Sequence, residues 1–455
     1  MLKDGDTNMQ KVDFPDLDTL KKISSSVGPE RVFEAFRKNI TENDSRINSF
    51  TTVLEYAERK KDPLSEASEN AGIPFSVKDM IDTKGVVTSY GSPIFEKNVP
   101  RRDAGIVNSL LDKGFLLQGK TVTHEFAMGI VTPKCRNPWN LECIAGGSSG
   151  GSAAAVSALF SPFSLGTDTA GSVRIPAAMC GVTGLKTSSG SLSMSGIFPE
   201  APSLDTVGVI SRHSSDIPAI LESMGMKPVP VQMGGPLVGL IIRELFEHAR
   251  GDVRSTLRSF MDRMASEGIM EITELSLPEL AEISRYDDIM DNAENYHVHQ
   301  ELFRVNSSSY SELSRKQLEN AARIPADEYL KAKKMRTSWK IKVHRILKGP
   351  NVLLSPTIPR TAPFHSELGN RDPGYFMQFM SHTNIFNFSG NPALTLPAGL
   401  AGGMPIGLQI ASPLYTDVEL CNLGARIQKS SDFHLNTPFW CAREFRSHVG
   451  PILQA

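Results

Sequence analysis

The 455-residue sequence has few cysteines, no surplus of either charge and no long apolar run, and each shortage removes a class of protein. Its 5 cysteines (Cys135, Cys143, Cys180, Cys421, Cys441) are odd in number and none forms a Cys-x-x-Cys pair. That argues against a disulfide framework and a structural zinc site, and fits a reducing compartment. Lys and Arg number 48 against 50 Asp and Glu, a formal charge of −2, so the chain does not rely on global positive charge to hold nucleic acid or an anionic membrane. The longest mostly apolar window, 153–166, is too short for a bilayer and is broken by Ser157, Ser161, Pro162 and Ser164, so no membrane span is expected. The start, Met1-Leu2-Lys3-Asp4-Gly5-Asp6, carries acid where an export or transit signal requires its absence, so the expected location is the cytoplasm. Internal repeats and low-complexity linkers are missing too.

What is present is 40% hydrophobic residues, enough for a large core. The chain changes character along its length, but nothing marks a linker, so one domain over 1–455 is expected. Residues 1–70 place Leu17, Leu20, Ile23 and then Val32, Phe33, Phe36 at helical spacing. From 71 to 215 the chain is rich in Gly, Ser and short β-like runs such as Ile73-Pro74-Phe75-Ser76-Val77 and Phe163-Ser164-Leu165-Gly166. Helical, charged segments dominate the insert 216–349, and strands return in 350–455 at 351–356 and 406–410. Strands on both sides of a helical insert imply a single sheet completed by the C-terminal part. Within the insert, 331–348 holds 8 Lys or Arg and no acid, which reads as a solvated helix face, with an RNA or acidic-partner contact as the sharper alternative.

The most informative stretch is Gly146-Gly147-Ser148-Ser149-Gly150-Gly151-Ser152-Ala153-Ala154-Ala155-Val156. Glycines permit a tight turn and the alanines start a helix, so backbone N–H groups gather at a helix N-terminus. Three mechanisms can use that site. A phosphate loop needs Lys then Ser or Thr after the glycines, and this run ends in Ser152-Ala153. A Gly-x-Ser-x-Gly nucleophile elbow is matched twice, weakly, and its histidine would come from His365, His382, His434 or His448, none in a distinguishing context. The third mechanism uses a second serine and a lysine base. Ser172, in Asp168-Thr169-Ala170-Gly171-Ser172, sits among small residues that can free backbone N–H groups for an oxyanion hole. Lys78 closes an apolar run, and a lysine desolvated there loses its proton more readily. Taken alone, Lys78 reads more simply as the partner of Asp79 or another acid.

At this point the order of motifs resembles the amidase signature enzymes. It runs from Pro74-Phe75-Ser76-Val77-Lys78-Asp79 through Gly119-Lys120-Thr121, His124-Glu125-Phe126-Ala127, Asn137-Pro138-Trp139-Asn140 and Gly146–Val156 to Gly166–Pro176 and Cys180–Thr187. The match is strong over 74–210 and fainter at 405–410. The resemblance implies an α/β fold, a twisted mixed sheet flanked by helices, and a Ser-Ser-Lys triad. Carried over by position, Ser172 is the nucleophile, Ser148 the bridging serine in a cis peptide bond, and Lys78 the base. Thr169, Ala170, Gly171 and Ser172 would supply the oxyanion N–H groups, and Ser149 would bind substrate or cap the helix. No metal and no organic cofactor is implied. Asp168 and Arg174 are expected to brace the loop, Cys180 to be a small buried residue, and His297 and His299 to lie on different helix faces.

Ala170 departs from the family, which usually has glycine there, and so puts a methyl beside the oxyanion loop. The family includes the glutamine-hydrolysing component of Glu-tRNA(Gln) amidotransferase, in which the stretch after Gly-Lys-Thr usually reads Asn-Met-Asp-Glu-Phe-Ala-Met-Gly. Here it reads Val122-Thr123-His124-Glu125-Phe126-Ala127-Met128-Gly129, and the segment 383–390 has no acid to hold an α-amino group. These departures favour a free-standing amidohydrolase releasing ammonia or an amine from a small carboxamide or ureido substrate. The glutaminase component of the amidotransferase is the alternative, supported by the basic run, and a non-catalytic platform is a third. A homodimer and a small accessory subunit remain open as partners, and 290–390 is expected to shape the pocket, with Phe376, Phe379, Phe386 and Phe388 as core or as an apolar wall.

Overall fold

Eleven strands of the computed structural model share one mixed sheet. The described residues are 9–56, 68–227, 236–368 and 373–453, so the opening hexapeptide lies outside them. The strands are β1 Phe50–Val53, β2 Pro74–Lys78, β3 Leu116–Thr121, β4 Phe163–Asp168, β5 Thr183–Lys186, β6 Thr206–Ser211, β7 Val238–Ile242, β8 Glu271–Leu275, β9 Asn351–Pro356, β10 Ala393–Ala401 and β11 Met404–Ala411. Across the sheet they run β8-β7-β9-β11-β10-β5-β6-β4-β2-β3-β1. The C-terminal strands thus sit between the insert and the Gly/Ser-rich core, in keeping with the return of strand pattern after 350.

The parallel trio β4-β2-β3 matters most for function, with Ser76 opposite Ser164 and Val77 opposite Leu165. Both β2 and β4 are buried at every residue, which explains their unbroken small and apolar runs. Parallel pairing brings the C-terminal ends of β2 and β4 to the same edge of the sheet. That register brings Lys78 beside Gly166, with Thr167 and Asp168 running just past it, at the edge where open α/β sheets carry their ligands.

Helices α1 Leu17–Val27 and α2 Pro29–Asn43 form where the spacing predicts them. Asp16 caps α1 by accepting from the Thr19 N–H at 2.8 Å, and Leu17, Leu20, Val32, Phe33 and Phe36 are buried. The rings of Phe14 and Phe36 meet Phe445, so the first and last parts of the chain close on each other. The insert is less helical than its charge pattern implies, since it contributes β7 and β8. Val238-Gly239-Leu240-Ile241-Ile242 is a short apolar run that periodicity cannot assign, and β8 lies at the sheet edge, where exposed acids blur the pattern.

Two long helices, α3 Leu280–Asn306 and α4 Ala326–Ile346, cover this end of the sheet. Helix α4 buries Trp339, whose Nε1 donates to the Ile385 carbonyl at 2.8 Å, and turns its basic run outward except for Arg336, which bonds inward to Phe388 and Ser203. Lys331 pairs there with Asp327 (3.0 Å) and Glu328 (2.6 Å), as a solvated face does. Phe379, Phe386 and Phe388 are buried in the core, and Phe376 packs on its margin.

Candidate active site

Lys78 ends β2 with its side chain fully buried, and its Nζ donates to Ser148 Oγ at 2.6 Å and Thr167 Oγ1 at 2.8 Å. Burial pulls its pKa down to about 8, against the opposing pull of Glu200, Asp168 and Asp205. The simpler pairing with Asp79 does not occur. Successive residues leave a strand end in opposite directions, and Asp79 lies 3.6 Å from Lys120 Nζ instead.

Ser148 follows a cis Gly147–Ser148 peptide. Its carbonyl accepts from Thr123 Oγ1 (3.1 Å), Thr132 Oγ1 (3.2 Å) and the His124 N–H (3.3 Å), which fixes the serine from three sides. A Cβ at Gly147 would fall 2.8 Å from the Ile130 carbonyl carbon, so glycine is required for this close approach. Helix α5, Gly150–Ser157, starts directly behind and turns its N-terminus to the site.

The Ser172 loop leaves β4 and is closed by Asp168. That carboxylate accepts from the N–H groups of Gly171 (2.9 Å) and Val173 (3.1 Å) and from Arg174 Nε (3.0 Å) and Nη2 (2.8 Å). Burial works to raise its pKa, but the Arg174 guanidinium and the hydrogen bonds prevail and hold it at about 2. Arg174 also donates to Gln409 Oε1, Asn387 Oδ1 and the Thr383 carbonyl, so both charges brace the loop as expected. Arg174→Met leaves Asp168 buried without its counter-ion and is expected to cost about 3–5 kcal/mol in chemical denaturation.

The Ser149 N–H donates to the Ser172 carbonyl at 3.1 Å, which ties the two serine loops together. Ser172 remains 5% exposed while Lys78 and Ser148 are at 0%, so a substrate approaches from the Ser172 side. Among the described residues the N–H groups of Thr169, Ala170 and Ser172 meet no acceptor. Gly171 corrects the expectation, because its N–H is already held by Asp168. Its φ of +125° and a Cβ position 2.1 Å from Thr383 Oγ1 explain the glycine instead. The Ala170 carbonyl accepts from that same Thr383 hydroxyl at 2.6 Å, and Ala170 itself is not at a positive φ, so the position does not demand glycine. For Ser149 it is the capping half of the expectation that is corrected. This serine occupies the position before α5 but makes no side-chain cap, and its buried hydroxyl donates to the Thr167 carbonyl at 3.2 Å.

Thr167 is the residue that sequence reasoning misses. Its signal is its place one before Asp168 on a strand parallel to β2, which only the sheet order makes readable. His124 is buried and its pKa is pushed down to about 4 by burial, so the imidazole is neutral. Cys180 is fully buried, with its Sγ 3.4 Å from the Ala145 carbonyl, and is inert as expected. No group of residues suited to a metal is found among those described, and no described helix is long and apolar enough to cross a membrane.

A family model described as Amidase matches residues 31–421. The A component of a Glutamyl-tRNA(Gln) amidotransferase, from Halothermothrix orenii, is 30% identical over 92% of this chain and 97% of its own. Among solved structures, one described as an amidase superposes with a TM-score of 0.83 at 27% identity, covering 91% of this chain and 99% of its own. The corresponding Glutamyl-tRNA(Gln) amidotransferase component of Thermotoga maritima superposes with a TM-score of 0.79 at 27% identity, covering 94% and 96%.

Proposed function

This chain belongs to the amidase signature family, and on that footing we propose that it hydrolyses an amide C–N bond through Ser172, Ser148 and Lys78. The observation that carries the proposal is the 2.6 Å contact of a fully buried lysine with the serine after the cis peptide. Neutral Lys78 takes the proton of Ser148, Ser148 takes that of Ser172, and Ser172 Oγ attacks the amide carbon. The free N–H groups of Thr169, Ala170 and Ser172 hold the oxyanion. The proton returns through Ser148 to the leaving nitrogen, the C–N bond breaks, and ammonia or an amine departs. Water then attacks the acyl-enzyme, losing its proton to the same relay, and the acid is released.

The relatives named as amidotransferase components favour, for the setting of this chemistry, the alternative of a glutaminase working with partner proteins over the free-standing hydrolase. The free-standing reading keeps the support of His124 in place of the usual acid-bearing stretch, and of the segment 383–390 without an acid. Ammonia release from glutamine and from a panel of small carboxamides and ureido compounds separates them, with Ser172→Ala as the blank. Glutamine turnover that needs a partner protein is expected for the first reading; rapid turnover of a simple carboxamide by the chain alone sinks it.

A further inference from the structure

Helix α3 places Asp287, Asp291, Asn295 and His299 four residues apart, on one face, and all four are buried. Polar atoms on this face meet no partner among the described residues: Asp287 Oδ1, Asp291 Oδ1, both carboxamide atoms of Asn295, and His299 Nε2. Opposite them, Glu200 Oε2 is buried and unpartnered as well. An unpaired buried polar group costs about 1–3 kcal/mol, so a core would not gather so many on one helix face.

Glu200, which faces Asp291, is tied to the nucleophile loop through Asp205. Asp205 Oδ1 accepts from Thr169 Oγ1 at 2.7 Å, which anchors it to the nucleophile loop, and Asp205 Oδ2 accepts from the Glu200 N–H at 2.9 Å. Glu200 lies close enough to Lys78 to be the strongest charge opposing its loss of the proton, and Asp291 acts in turn on Glu200. Burial and then the neighbouring acids push Glu200 and Asp287 well up, and Asp291 likewise. Positive charge is scarce here. Arg336 commits its N–H groups to the Phe388 carbonyl and to the carbonyl and hydroxyl of Ser203, and Lys78 is the base. A surface of carboxyl groups and a carboxamide without a counter-ion suits a ligand that brings N–H donors and positive charge.

We infer that the α3 face, centred on Asp291 and Glu200, binds a protonated primary amine of the substrate, so that the preferred amides carry a free amino group distant from the scissile bond. The inference rests on Ser172 as nucleophile for its catalytic meaning, and its binding half stands independently. An amino acid with a side-chain amide, such as glutamine, would also need a cation for its α-carboxylate, which this face does not supply.

The experiment compares a matched pair, 6-aminohexanamide and heptanamide. Calorimetry on the Ser172→Ala protein measures binding without turnover, and ammonia release by the wild type measures kcat and KM. The amino amide is expected to bind about 10- to 100-fold tighter, with the advantage in KM, as two charge-assisted hydrogen bonds give. Asp291→Asn is expected to bring the ratio of the pair toward one, and Asp287→Asn serves the same purpose if the first variant does not fold. Equal or tighter binding of heptanamide by Ser172→Ala, or a preference unaltered in a folded Asp291→Asn protein, overturns the inference. Labelling of wild-type Ser172 by a serine probe, recorded alongside, shows whether the nucleophile assignment stands or falls separately from it.

Discussion

A fluorophosphonate probe is expected to add one adduct to the wild-type protein and none to Ser172→Ala, read by intact mass, with amide turnover falling by about six orders of magnitude or to the assay floor. Three observations converge on that serine. It is the member of the Lys78, Ser148, Ser172 set that keeps exposure; its loop offers free N–H groups at Thr169, Ala170 and Ser172; and the Ser149 N–H to Ser172 carbonyl bond holds it against the bridging serine. Ser148→Ala is expected to be nearly as damaging, because it removes the only hydroxyl shared with Lys78 apart from Thr167. Thr167→Val, which keeps the shape and loses the hydrogen bond, is expected to slow labelling by a smaller factor, about 10-fold, since it orients the amine without passing a proton. An adduct that survives in Ser172→Ala places the nucleophile elsewhere.

The sequence makes the site legible before the sheet. Lys78, Ser148 and Ser172 are read as one set through the order of motifs that resembles the amidase signature enzymes, since Lys78 taken alone reads as the partner of an acid; the clash at Gly147 and the positive φ at Gly171 give the small residues around the two serines a geometric purpose. The fate of each backbone N–H is not readable. Sequence alone groups Gly171 with its neighbours as an oxyanion donor, and only coordinates reveal that Asp168 bends back to claim it. The insert is the least legible part, because β7 is five residues of an apolar run and the buried face of α3 is polar. Amphipathic periodicity registers hydrophobic faces, so a helix that buries Asp287, Asp291, Asn295 and His299 gives a weak signal. The relatives lean toward the amidotransferase component where motif departures lean away, and those departures lie both inside the signature core, at 122–129, and outside it, at 383–390.

The pH dependence of kcat/KM is expected to report Lys78 directly. With a folded-state pKa of about 8, the rate should rise about tenfold per pH unit below that value and level off above it. Lys78→Arg keeps the positive charge on a slightly longer side chain but cannot lose its proton near neutral pH, so it is expected to lose about 10²- to 10⁴-fold and the rising limb with it. Lys186 supplies the control. It too is fully buried, and burial with the nearby Arg174 takes its pKa down to about 7, yet its Nζ donates to the Thr187 carbonyl at 2.8 Å and to no serine. Burial makes an amine neutral, and position makes it a base. Lys186→Met should therefore keep the rise near pH 8. Stability carries the same signature with a definite sign. Lys78 binds a proton less readily when folded than at its ordinary value of 10.5, so the unfolded chain holds more protons between about 8 and 10.5. The contribution of Lys78 to stability is full above 10.5 and is lost as the pH falls through about 8. Lys78→Met, which has no proton to lose, is expected to be more stable than wild type at about pH 7 and to surrender that advantage as the pH climbs through this window. A stability difference independent of pH from about 7 to 10.5 would mean that Lys78 keeps an ordinary pKa, and with it that the base of the relay is some other group.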